Sequence, residues 1–208
     1  MSALQWVLIA VGVLASATLA GAGLRQRRRR GELARLAERL GLRFAVQDFM
    51  NLPDRYGRSL LMQAGHSAYA QNILFGRLGG CFLRAFDYCF EVGHGPQRQV
   101  CRLTVVAGDT SRPRPPAAAW QGSPAAAALI CAEGQAGPDG WHWAGSAEAA
   151  AALRDAWSTA AGPITLLTAG RAVLAACSEQ LAGRQLEVLL HAAVAWVEEL
   201  ERQAGRNG

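Results

Sequence analysis

The sequence predicts an α+β fold: an N-terminal transmembrane helix, then an antiparallel sheet covered by a C-terminal amphipathic helix. Three observations carry that prediction. Residues 4–24 form an uncharged, largely apolar run; aromatic and β-branched residues alternate through residues 71–107; and the closing stretch repeats apolar residues at helical spacing.

The first run reads LQWVLIAVGVLASATLAGAGL, 21 residues without a charge. At a rise of ~1.5 Å per residue it spans roughly 31 Å, the thickness of a bilayer's hydrocarbon. Trp6 near its start suits the headgroup level. The basic cluster Arg25, Arg27, Arg28, Arg29 and Arg30 follows its end, where positive charge marks the cytoplasmic flank. These six side chains are the expected membrane-interface residues. The expected topology is a single pass through the inner (plasma) membrane, N-terminus outside and C-terminal domain cytoplasmic. A cleaved signal peptide competes, because Ala15-Ser16-Ala17 and Ala20-Gly21-Ala22 offer small residues. Signal peptides carry their positive charge before the apolar run, however, and residues 1–5 have no basic side chain.

The expected division is therefore residues 1–30 as anchor with basic flank and residues 31–208 as a cytoplasmic α+β domain. All 21 basic residues are Arg. Five lie in the flank, so residues 31–208 carry 16 Arg against 16 acids and are formally neutral. Nucleic acid is not an expected partner, since phosphate binding needs a basic face. The lack of Lys also excludes P-loop nucleotide hydrolysis and pyridoxal chemistry. Five cysteines, Cys81, Cys89, Cys101, Cys131 and Cys177, are an odd number without framework spacing and suit a reducing compartment.

Along the chain, Leu33, Leu36 and Leu40 give a short amphipathic helix continuing from the anchor and ending at Gly41. Residues 42–46 read as a first strand, and residues 47–58 are turn-rich. Residues 71–78, 79–92 and 99–108 read as an antiparallel meander. Phe82, Phe86, Tyr88, Phe90 and Val92 share one face of its middle strand, and Cys101, Leu103 and Val105 one face of the next. The RPRPP of residues 112–116 is expected as an extended connection, and would be the joint if the domain has two halves. Residues 125–132 read as strand or short helix, and residues 133–140 as a loop. Trp141 and Trp143 point the same way if their segment is extended. Ser146 caps an Ala-rich helix running to about Ala160. Residues 164–168 and 171–177 suggest a hairpin about Ala169-Gly170. In the last helix, residues 183–203, Leu186, Leu189, Leu190, Ala193, Val194, Val197 and Leu200 form one stripe.

The search for chemistry yields no catalytic, cofactor-binding or metal site. Cys89, His94 and Cys101 bracket one hairpin, but their spacing matches no common zinc module, and half-buried strand cysteines are the favoured reading. No G-x-S-x-G elbow occurs, and neither His66 nor His142 has an acyl-transfer setting. His191 reads as structural, beside the apolar stripe of the last helix. The pairs Gly79-Gly80 and Gly93-His94-Gly95 are turns rather than phosphate cradles. Asp87, alone among aromatics, could pair with Arg84 or Arg102, or face solvent.

Asn72, Leu74 and Gly76, then Phe86-Asp87-Tyr88, Gly93-His94-Gly95 and Thr104-Val105-Val106 make residues 72–106 similar to an uncharacterised bacterial family of single-span, N-terminally membrane-anchored proteins with an FDY…TVV core. With the apolar N-terminal helix and the short helix ending in Leu40-Gly41, which that family also has, the resemblance covers about a third of the chain and implies an anchored domain with no assigned activity. The expected function is a non-enzymatic interaction domain at the cytoplasmic face of the membrane, with lipid held through the N-terminal helix and an unidentified protein partner. A membrane-tethered enzyme using His66, His94 and Asp87, or a lipid-headgroup-binding module, are the alternatives.

Overall fold

A computed structural model describes residues 2–121, 135–136, 140–157 and 164–206, setting aside the side chains of Ala3, Leu8, Ala15, Ala17, Leu19 and Ala22. The fold is α+β. Helix α1, Ala3–Arg39, is one uninterrupted helix that takes in both the apolar run and the amphipathic stretch expected to continue from it. Its C-terminal third buries Leu33, Leu36 and Ala37. Gly41, at φ 67°, ends it: Leu42 N–H donates to Ala37 O at 2.8 Å and Gly41 N–H to Glu38 O at 3.2 Å. This is the paired Schellman arrangement, which needs a left-handed residue after the cap.

The described strands are β1 (Arg43–Gln47), β2 (His66–Leu78), β3 (Cys81–Val92), β4 (Gln99–Arg114), β5 (Ala117–Gln121), β6 (Gln135–Ala136), β7 (Trp141–Gly145) and β8 (Ile164–Cys177). All pair antiparallel in one sheet, in the order β1-β2-β3-β4-β8-β5-β7-β6. The meander expected from the sequence is β2-β3-β4. Its first turn is Gly79-Gly80, both at positive φ, as a tight two-residue hairpin requires.

Two expectations give way. Residues 164–177 are not a hairpin: β8 runs straight through Ala169-Gly170, and Gly170, at φ 63°, bends the strand without reversing it. Its two ends serve different neighbours, Thr165–Leu167 pairing with β5 and Ala172–Cys177 with β4. The RPRPP segment is not wholly a connection either, because β4 continues to Arg114. Pro113 is tolerated there because the ladder is irregular between Asp109 and Arg114, where no N–H is demanded of it. Since β8 lies between β4 and β5, chain from both sides of residues 112–116 builds the same sheet.

Helices cover one face. Helix α4, Gly183–Arg206, buries the predicted stripe of Leu186, Leu189, Leu190, Ala193, Val194, Val197 and Leu200 against Leu83, Ala85, Val106 and Val173. Helix α3, Ala147–Ala156, starts at Ser146, whose Oγ accepts from Ala149 N–H at 3.3 Å, and is tied to α4 by Trp196 Nε1 donating to Leu153 O at 3.0 Å. Trp141 and Trp143 share a face and pack on the small-residue cluster Ala117, Ala119, Ala149 and Ala150. The opposite face is also covered. Phe86, Tyr88, Phe90, Leu103 and Val105 meet Leu52, Tyr56 and Leu61, which come from the turn-rich stretch and its one-turn helix α2, Leu52–Arg55. Residues 125–132, and Cys131 among them, lie outside the described residues, as does the expected end of the Ala-rich helix beyond Trp157.

Among the described residues no helix is long and apolar enough to cross a membrane. The described side chains of residues 4–24 are diluted by Gln5, Ser16, Thr18 and three glycines. What the structure does show is a helix of spanning length whose large apolar side chains are exposed: Leu4, Trp6, Val7, Ile9, Val11, Val13, Leu14 and Leu24. The domain leaves them uncovered.

The buried stripe sets a stability prediction. Leu190→Ala, at a position with 0% exposure, removes a side chain from the centre of the helix–sheet core and should cost about 2–5 kcal/mol. Urea unfolding of the full chain in detergent micelles, followed by tryptophan fluorescence, measures it.

Candidate functional site

The most organised polar group in the molecule lies where α1 crosses from its exposed half onto the sheet. Asp87, 1% exposed, sits on the helix-covered face of β3. Arg29 grips it with both arms of its guanidinium, Nη2 to Oδ1 at 2.6 Å and Nε to Oδ2 at 3.1 Å. The same Arg29 donates through Nη1 to Gln180 O at 2.8 Å, in the loop before α4. Asn72 Nδ2 donates to Asp87 Oδ2 at 2.8 Å, and Arg30 Nε donates to Asn72 Oδ1 at 3.3 Å. Thr104, opposite Asp87 on β4, accepts Leu181 N–H at 2.8 Å. Helix α1, strand β2 and, through Arg29, the loop before α4 thus meet at one carboxylate of β3.

Local structure explains how the group is aimed. Asn72 has φ 53°, in a register irregularity of β2 between Gln71 and Leu74. Asn tolerates that left-handed geometry, and the bulge turns its amide toward Asp87 instead of leaving it in strand alternation. A bidentate Arg–carboxylate pair fixes orientation as well as distance. The pair therefore sets the angle at which α1 leaves the domain.

The predicted membrane-interface residues divide. Trp6, Arg25, Arg27 and Arg28 are exposed, whereas Arg29 and Arg30 are turned onto the domain. Asp87 pairs with neither Arg84 nor Arg102. Arg84 is itself buried and donates to Asp109 Oδ1 at 2.8 Å and Tyr56 Oη at 3.1 Å, on the other face of the sheet. Burial pushes the Tyr56 phenol above its ordinary value, partly opposed by Arg84. Tyr88 Oη, buried and without a hydrogen-bond partner among the described residues, is pushed up to about 12 by the same loss of solvent.

The other candidates do not assemble. Cys89 stands opposite Arg102 and Cys101 opposite Phe90, so the two thiols lie on opposite faces and cannot share an ion with His94. Burial raises both thiols above their usual range. Among the described residues no group of three His, Cys, Asp or Glu could hold a metal. The rings of His66 and His94 meet edge to face at 5.1 Å at the turn end of the β3–β4 hairpin, and His66 Nδ1 lies 3.6 Å from Glu91. Asp87 is not with them; it is enclosed under Arg29. His142 stacks on Trp120 at 5.8 Å between ring centres, and His191 is exposed on α4.

Fold and site define an α+β domain, an eight-stranded antiparallel sheet held by one buried ion pair to a long N-terminal helix. No protein-family model matches the chain, and no curated protein does. Among solved structures the chain is similar to the crystal structure of the mycobacterial trehalose monomycolate transport factor A, TtfA. The TM-score is 0.55 at 14% sequence identity, over 83% of this chain and 93% of that one. At that identity the likeness establishes a shared fold.

Removing half of the buried pair strands the other charge, so Asp87→Ala should destabilise the protein by about 3–5 kcal/mol. Replacing both partners, Arg29→Met with Asp87→Leu, should recover most of that loss. Chemical denaturation of the two variants beside the native chain checks the difference.

Proposed function

We propose that the chain is a non-enzymatic interaction domain tethered to the cytoplasmic face of the bacterial inner membrane by residues 4–24. The observation that carries this reading is the exposed half of α1. Eight large apolar side chains stand in the open over a length matching a bilayer's hydrocarbon, and the Arg cluster follows directly. A contiguous apolar surface of that size calls for a nonaqueous environment, and a helix with all of its backbone hydrogen bonds satisfied is suited to lipid. The basic flank gives the orientation, N-terminus outside. The resemblance of residues 72–106 to single-span anchored proteins points the same way.

The enzymatic alternative needed His66, His94 and Asp87 in one pocket, and the fold keeps Asp87 apart, bound by Arg29 and Asn72. The structural neighbour is a transport factor for trehalose monomycolate. A transport-factor role, exerted by docking on a protein partner, is the form of the function we carry over from it. The domain's near-neutral surface and its short, rigid connection to the bilayer suit docking against such a partner.

Two charges placed in the apolar run should abolish anchoring. Each Arg at the centre of a span costs about 2.5–3.5 kcal/mol on insertion scales. Val11→Arg with Leu14→Arg should therefore shift the protein from the alkaline-carbonate pellet of membranes to the supernatant. Native chain found in the supernatant would contradict the tether. A reporter fused after Gly208 should fluoresce in the cytoplasm, and periplasmic phosphatase activity there would reverse the orientation.

A further inference from the structure

Beside the Arg29–Asp87 pair lies an open groove of about 690 Å³ between α1 and the sheet. Gly21, Arg25, Gln26 and Arg29 line it from the helix, Arg102 from β4 and Gln180 from the loop before α4, and its far end reaches Thr18. Thr18, Gly21, Arg25 and Arg29 follow one another at intervals of three and four residues, so they share one face of the helix. Arg102 lies two residues before Thr104, on the same face of the sheet.

The charges in this groove are unequal in their commitments. Arg29 is spent on Asp87 and Gln180. Arg25 and Arg102 are exposed, and neither makes an ion pair among the described residues. Among the described residues no carboxylate lines the groove. Of the acids around it, Asp87 is held by Arg29 and Asn72, Glu91, diagonal to Arg102 across the β3–β4 ladder, is paired with Arg98, and Glu179 is exposed beside Gln180. Two uncommitted guanidinium groups therefore face one slot, and their forks match the oxygens of a phosphate.

The groove's position selects the form of that phosphate. It rests on the tether proposed above: if residues 4–24 lie in the bilayer, Arg25 is at the headgroup level. Thr18, seven residues earlier, is then roughly 10 Å farther into the membrane. A ligand filling the groove would put its anion at Arg25 and Arg102 and its apolar part along the helix past Gly21 and Thr18. The domain offers apolar surface on the same side. Tyr69 and Val100, both exposed, lie on the sheet face of Arg102, Tyr69 in its row through Cys89 and Val100 two residues before it.

We propose that this groove binds the phosphodiester headgroup of an anionic phospholipid, with Arg25 and Arg102 as its phosphate ligands. The bound lipid completes the seam between helix and domain and seats the domain against the membrane. Arg29, the most buried of the cluster, holds the groove's wall and does not bind the lipid.

Native mass spectrometry of the full-length protein in detergent, titrated with dioctanoyl phosphatidylglycerol, tests this. Losing charge-assisted bonds to phosphate should weaken retention about tenfold or more in Arg25→Gln with Arg102→Gln. Arg171→Gln, exposed elsewhere, should retain the lipid as the native chain does. Both altered positions are exposed, and thermal unfolding should confirm that the double variant folds. Equal retention by the double variant overturns the groove, as does equal retention of dioctanoyl phosphatidylcholine. Displacement of the lipid by inorganic phosphate alone overturns the lipid assignment in favour of a soluble anion. Lipid binding is read in detergent, so failure of the groove is distinguished from failure of the tether, which the carbonate extraction reads.

Discussion

The Arg29–Asp87 ion pair is the constraint on which the arrangement of this molecule depends. A carboxylate with 1% exposure in the middle of a sheet is costly to ionise unless a partner and hydrogen bonds replace the lost water. Here the partner arrives on another element, 58 residues earlier in the chain. Because the partner is an Arg on α1, satisfying Asp87 and docking the helix are the same event. Asn72 and Gln180 then fill the remaining hydrogen-bonding positions, which makes the junction directional as well as attractive.

That junction divides α1 into a half packed on the domain and a half left exposed. Below it, Leu33, Leu36 and Ala37 belong to the same core as Leu74, Leu189 and Leu190, and the Schellman turn at Gly41 hands the chain to β1. Above it, none of the described side chains belongs to a core cluster, and the described large apolar ones are exposed. Under the proposed tether the continuous helix would fix the domain's distance and tilt from the membrane, where a flexible linker would let it wander. The insertion of β8 between β4 and β5 serves the same rigidity, tying late chain into the sheet that carries Asp87.

What the sequence made legible was whatever repeats locally. The stripe of α4, the alternation of Phe86, Tyr88 and Phe90, the cap at Ser146 and the stop at Gly41 all follow from spacings of two to four residues. The errors share a cause. Ala169-Gly170 resembles a hairpin turn, and only the pairing of the two ends of β8 with different strands shows a bend. Pro113 looked like a strand breaker, and only the irregular ladder beside it shows why it is tolerated. The meander offers Asp87 two neighbouring cations, Arg84 and Arg102. Arg84 was already occupied by Asp109 and Tyr56 on the opposite face, which alternation from Asp87 could have indicated. Arg29 was hidden by its company: in a run of basic residues after an apolar segment, membrane flanking explains all five equally well. Only its helical phase relative to Leu33 and Leu36 distinguishes it, four residues before the first of them.

Helix α1 is continuous and locked to the domain through the junction. Hydrogen–deuterium exchange of the full-length protein in lipid nanodiscs reads this directly, amide by amide. Residues 25–31 should exchange as slowly as residues 32–39, since both belong to one helix held by the same core and ion pair. Fast exchange across residues 25–31 beside protected residues 32–39 would mean a hinge at the basic flank, and would contradict it.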